Sequence, residues 1–262
     1  MIEVDPSTPE VRRDQIRLIG RMRVEDWLAE PTPIAGYLAL PTTVAIAVAV
    51  IGAWSPDALE LATLHRSAIL AAFASTGIAA TCDLPPHLPA AVRELRLELD
   101  PTTYVFGELR ALGLLAAVQV GCLLAAYAFQ STLIPVGWLY LVLLASALAG
   151  GGFGILAAVG TRRRRTGVLL VASATVGQWL IAGVSGADPV GQVAAFVYFL
   201  TPTGWADSAL VHFSGLPPRS LIGAIRSTVP LFFAGLFTLS AGIVLRRRIV
   251  SLPEDAVEDP QQ

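Results

Sequence analysis

Residues 111–161 read ALGLLAAVQVGCLLAAYAFQSTLIPVGWLYLVLLASALAGGGFGILAAVGT, 51 residues without one charged side chain. A helix rises 1.5 Å per residue, so about 20 apolar residues cross a hydrocarbon core of roughly 30 Å. The run is too long for one crossing and long enough for two. Near its middle stand Gln130, Ser131, Thr132, Pro135 and Gly137, a polar, helix-breaking stretch that reads as a hairpin. Two consecutive helical spans are predicted. The run lacks the alternation of a membrane β-strand, which excludes a water-filled barrel.

The rest of the chain has the same character. Its 262 residues are 54% hydrophobic and only 15% charged, with a mean hydropathy of +0.64, against roughly 25% charged in a soluble domain. Further uncharged runs occupy 31–56, 67–82, 166–187, 189–206 and 227–245. Spans are predicted at 34–54, 65–82, 107–129, 136–160, 166–185 and 227–245, giving an all-α membrane protein with six transmembrane helices. Three parts follow: an N-terminal cytoplasmic segment (1–30), a six-span domain (31–248) and an acidic cytoplasmic tail (249–262) carrying Glu254, Asp255, Glu258 and Asp259. The opening stretch, Met1 to Val11, is acidic rather than basic then apolar, so no cleavable leader is expected.

All 18 basic residues are arginine, and positive loops stay on the cytoplasmic side. With both termini inside, 15 arginines lie inside and three, Arg66, Arg219 and Arg226, outside. That asymmetry sets the predicted orientation. The absence of lysine removes a Walker A loop, a protein kinase and pyridoxal-phosphate chemistry from this chain. Cys82 and Cys122 form no ligand pair, and His65, His87 and His212 have no helical i, i+4 partner, so no metal site is expected. No global basic character points to nucleic acid.

The segment 190–213 is apolar and aromatic, but Pro202 divides it into pieces of about a dozen residues, roughly 18 Å each and too short to cross. A re-entrant or surface-lying pair on the outer side is expected. Before the first span, residues 11–28 read as an amphipathic interfacial helix. Val11, Ile16, Leu18, Ile19, Met22 and Trp27 fall on one half of the wheel, and Arg13, Arg17 and Arg21 on the other. Arg12, Arg23 and Asp26 interrupt the apolar half. Between spans two and three, Leu88, Val92, Leu95 and Leu99 recur at helical steps among Arg93, Glu94, Arg96 and Glu98, and Asp100–Pro101 is a suitable cap and first-turn pair. Such a helix either docks into another protein or lies on the membrane.

This layout resembles the membrane subunit of an ABC-2 type exporter, the permease class that includes the transmembrane halves of G-type transporters. The likeness runs from about residue 11 to 248. It rests on the interfacial basic helix, the charged connector with Arg93–Glu94 ahead of Tyr104, and the outer element with Leu200–Thr201–Pro202–Thr203–Gly204–Trp205. The resemblance implies a permease in the cell membrane that forms the substrate path and pairs with a second permease subunit, as homodimer or heterodimer. ATP and magnesium would be held by a separate ATP-binding subunit. It further implies that Leu88, Val92, Arg93, Glu94, Leu95, Arg96, Glu98, Leu99 and Asp100 form the coupling helix seated in that subunit, and that the helix bearing Arg13, Arg17, Arg21 and Trp27 transmits its movement.

For a substrate path the spans offer Gln119, Tyr127 and Gln178, which serve equally well as interhelical hydrogen-bond glue. Gly150, Gly151, Gly152 and Gly154 permit close packing or a hinge. The spans are expected to lack the intramembrane charge of proton-coupled carriers. A stand-alone carrier or channel remains open, as does, more remotely, a rhomboid-like protease built on Gly183–Val184–Ser185–Gly186, for which no asparagine and no histidine in the last span are present.

Overall fold

The computed structural model describes residues 9–54, 61–97, 100–127, 136–161, 163–184, 189–213 and 219–251. Within them the side chains of 48–54, 61–64, 85–97, 126–127, 219–221 and 251 are not described. The described residues form helices: α1 (Pro9–Ala29), α2 (Pro31–Trp54), α3 (Leu61–Leu97), α4 (Pro101–Tyr127), α5 (Val136–Gly160), α6 (Arg164–Val184), α7 (Pro189–Phe199), α8 (Pro202–Phe213) and α9 (Arg219–Ser251). The long uncharged run holds most of α4 and all of α5, and its polar middle, 128–135, lies outside the described residues.

Five stretches, in α3, α4, α5, α6 and α9, are long and apolar enough to cross a membrane. The chain is therefore a helical membrane protein. The helix over the first predicted span, α2, is 24 residues long with Pro41 inside it. Large apolar side chains on the outward faces of α6 and α9, such as Leu169, Trp179, Phe232 and Ile243, are exposed, as a lipid-facing surface requires.

The helix starts follow local chemistry. Asp100 caps α4, its Oδ2 accepting from the Thr103 amide (3.2 Å) and hydroxyl (3.3 Å), with Pro101 at the first position where its missing N–H costs nothing. Thr201 does the same for α8, its Oγ1 accepting from the Gly204 amide at 3.1 Å ahead of Pro202. At the other pole, Arg248 of α9 donates to the carbonyl of Gly160 at 2.8 Å, satisfying the last turn of α5.

The middle of the bundle is α5, buried along most of its length. A Cβ at Gly150 would overlap the Phe73 carbonyl of α3, one at Gly154 the Gly77 carbonyl, and one at Gly152 would stand 2.7 Å from the Ala234 carbonyl of α9. These glycines let α5 touch α3 on one side and α9 on the other at backbone distance, which is a packing role. Two apolar clusters result. One gathers Ile69, Leu123, Leu139, Leu143, Leu210 and Phe213, the other Trp27, Leu84, Leu112, Ile155, Val159 and Leu245.

One expectation changes. The connector over 88–100 is not a separate short helix: α3 continues through Leu97, although Pro85, Pro86 and Pro89 each remove one backbone donor. The segment 190–213 is a helical hairpin, and α8 buries Thr203, Gly204, Ala206, Ala209 and Leu210 against the bundle while α7 leaves Val193 and Phe196 exposed. The α8 half is thus packed into protein.

Candidate functional site

Helix α1 crosses α4 where glycines face each other. A Cβ on Gly107 would lie 2.7 Å from the Ile19 Cβ, and one on Gly20 3.3 Å from the Gly107 carbonyl. This approach carries Arg23, one turn beyond Gly20, to Glu108, the residue after Gly107. The guanidinium donates from Nε to Oε2 (2.9 Å) and from Nη2 to Oε1 (2.6 Å), a fork-to-fork pair of the strongest geometry available to these groups.

A second carboxylate completes the cluster. Asp83 of α3 places Oδ2 3.4 Å from Arg23 Nε, and its Oδ1 accepts from the Trp27 indole N–H (3.1 Å) and the Tyr37 hydroxyl (3.5 Å). Four helices, α1 to α4, thus meet on one charge group. Arg23, Asp83 and Glu108 are 5%, 8% and 3% exposed, so the charges are almost out of water. Burial alone would lower the Arg23 pKa, but the hydrogen bond and charge of Glu108 and the charge of Asp83 outweigh it and hold the guanidinium above its ordinary value.

Desolvating such groups costs several kcal/mol per ion, and the mutual attraction roughly offsets it. The cluster therefore adds little net stability compared with an apolar packing, yet it tolerates no half-measures, since removing one partner leaves a buried charge uncompensated. Its consequence is geometric: the pre-span helix is locked in one register on α3 and α4.

Within the protein α1 packs through Gly20, Arg23 and Trp27, while Leu18 and Met22 of its apolar half are exposed, as an interfacial face turned to lipid requires. Arg23, which interrupts the apolar half of the wheel, is the residue that seats the helix, because Glu108 and Asp83 neutralise what the wheel counts as a defect. Arg13, Arg17 and Arg21 are exposed as expected, Arg17 facing Asp14 and Arg21 facing Glu25. The buried carboxylates lie toward the ends of the apolar stretches, Asp83 in the last turn of His65–Leu84 and Glu108 two turns into Pro101–Ala125.

Of the coupling residues, Asp100 is described and caps α4. The side chains of Leu88, Val92, Arg93, Glu94, Leu95 and Arg96 and the whole of Glu98 and Leu99 lie outside the described residues, as do Ser185 and the acidic tail from residue 252. Among the path residues, Gln119 is fully buried, accepting from the Thr76 hydroxyl (2.7 Å) and donating to the Tyr37 carbonyl (2.9 Å). Gln178 accepts from the Thr203 hydroxyl and donates to the Ala174 carbonyl. Both join helices, α2 to α3 and α4 in the first case and α6 to α8 in the second. The Tyr127 side chain lies outside the described residues.

Sequence patterning missed the Arg23 cluster because its members are 60 and 85 positions apart. The available signal was an arginine spoiling an apolar wheel, with Trp27 four residues on, and two carboxylates bordering uncharged runs. No protein-family model and no curated protein sequence matches the chain.

Proposed function

We propose that this chain is the permease subunit of an ABC-type exporter, with six spans and both termini in the cytosol, and that a separate ATP-binding subunit drives it. The observation that carries the reading is the Arg23–Glu108–Asp83 cluster. It ties a helix lying before the first span to α3 and α4 on the side of their shared corner, where Asp100 starts α4 about two turns before Glu108. A push on the 88–100 connector from a partner would move α3, α4 and α1 as one body. A machine that converts an external stroke into span movement needs such a brace.

The position of the charges favours this reading over a stand-alone proton-coupled carrier. Carriers place carboxylates near the bilayer midplane in the substrate site, whereas Asp83 and Glu108 sit toward one end of their apolar stretches and are consumed by Arg23. In the proposed arrangement 15 of 18 arginines face the cytosol, the cell membrane is the host, and a second permease subunit completes the path.

Purification of the tagged full chain from membranes of its own cells tests the proposal. A stoichiometric Walker A ATPase in the eluate is the expected result; transport activity reconstituted from this chain alone, with no ATPase present, overturns it.

A further inference from the structure

Two of the three arginines that the charge bias leaves on the outer side, Arg66 and Arg226, line one cavity of about 360 Å³ between α3, α7, α8 and α9. Pockets that hold small molecules run roughly 300–1,000 Å³. Arg66 is spent on protein: Nε and Nη2 donate to Asp207 Oδ2 (3.3 and 3.2 Å), Nη1 donates to the Ala182 carbonyl (3.3 Å), and the guanidinium lies 5.8 Å over the Tyr198 ring. Arg226 is not so spent. Its Nη1 donates to the Ser208 hydroxyl, and no carboxylate pairs with it among the described residues.

A guanidinium has five N–H donors arranged as a fork that fits phosphate and carboxylate oxygens. With Asp207 cancelling Arg66, the wall keeps one positive charge that no carboxylate among the described residues compensates. His212, its Nδ1–H on the Ser208 carbonyl at 2.8 Å, stands beside it. The remaining lining is apolar, from Ala195, Phe199 and Val211. Next to the cavity the outward face of α7 presents Val193 and Phe196, and Leu200 follows it, each 60% exposed or more. A cationic pocket opening onto an apolar, membrane-exposed helix matches a ligand with an anionic head and a hydrocarbon tail.

We propose that this cavity binds an amphipathic anion of the phospholipid class, its phosphate on Arg226 and its acyl chains along α7. The outer-leaflet placement rests on the topology proposed above; the charge and shape of the pocket do not.

The test uses the purified full chain in a neutral detergent, titrated with short-chain phosphatidylglycerol, phosphatidylcholine or inorganic phosphate, with thermal stabilisation as the readout. Phosphatidylglycerol is expected to bind more tightly than phosphatidylcholine by about tenfold, and inorganic phosphate to have no effect at the same concentration. Arg226→Gln should abolish the preference, Arg226→Lys should retain part of it, and Arg165→Gln, an exposed arginine at the far end of α6, should leave it intact. Asp207→Asn should strengthen phosphatidylglycerol binding, a gain that a misfolded variant cannot mimic. Equal binding of the two lipids, an unchanged preference in Arg226→Gln, or stabilisation by inorganic phosphate as large as that by phosphatidylglycerol would each overturn the proposal. Since none of these measurements involves nucleotide, their outcome is independent of whether an ATPase copurifies.

Discussion

Arg23 of α1 donates through two nitrogens to both carboxylate oxygens of Glu108 of α4, and both residues are at least 95% buried. Their pairing makes the first helix part of the bundle instead of an independent surface element. Arg23→Ala strands Glu108 and Asp83 in a dry site, so a loss of about 3–5 kcal/mol is expected. The double variant Arg23→Met/Glu108→Leu should lose less than Arg23→Ala. Thermal unfolding in detergent, followed by tryptophan fluorescence, measures both. An Arg23→Ala protein melting at the wild-type temperature would contradict the assignment.

Reversing charge in the connector, as Glu94→Arg or Arg96→Glu, should leave membrane insertion intact and separate transport from ATP hydrolysis in the reconstituted complex. Transport is expected to fall at least about tenfold, the effect of roughly 1.4 kcal/mol on a coupling step. Wild-type transport in these variants removes the coupling role of the 88–100 segment.

The helical glycines divide by what an added methyl would meet. Gly150→Ala drives a methyl into the Phe73 carbonyl and should destabilise the bundle strongly, because backbone cannot step aside without separating α3 from α5. Gly177→Ala and Gly235→Ala meet nothing within 4 Å and are expected to be neutral or to stabilise by about 0.5–1 kcal/mol through helix propensity. Equal melting temperatures for Gly150→Ala and Gly177→Ala would refute the close-packing account.

Orientation is open to direct labelling. After Cys82 and Cys122 are replaced, a single cysteine at Arg165 should react with an impermeant maleimide only when the cytosolic face is opened, and one at Val190 should react from outside in intact cells. Both positions are exposed. The reverse pattern would invert the proposed topology and, with it, remove the connector from reach of a cytosolic ATPase.

Hydropathy and length were sufficient to place the long helices, because a bilayer imposes a minimum apolar run that needs no knowledge of neighbours. The caps at Asp100 and Thr201 and the division at Pro202 were equally local, arising from side-chain and φ constraints within four residues. The wheel of residues 11–28 was a different matter. It ranks side chains by their affinity for water, and so counts Arg23 as an interruption of the apolar half. Arg23 is instead buried in protein, since burial of a charge depends on whether an opposite charge meets it.

Composition and periodicity thus decide that this chain is a helical membrane protein, where its long apolar helices lie and that 190–213 divides into two short helices. Those properties follow from interactions of each residue with solvent, lipid or its own backbone. The register of α1 on α4, the burial of α8, the duty of Gln119 and Gln178 as ties between helices, and the gathering of Arg66 and Arg226 on one cavity emerge only once distant segments pack. They are pairwise energies between residues tens to more than a hundred positions apart, and no local pattern encodes which partner each will find.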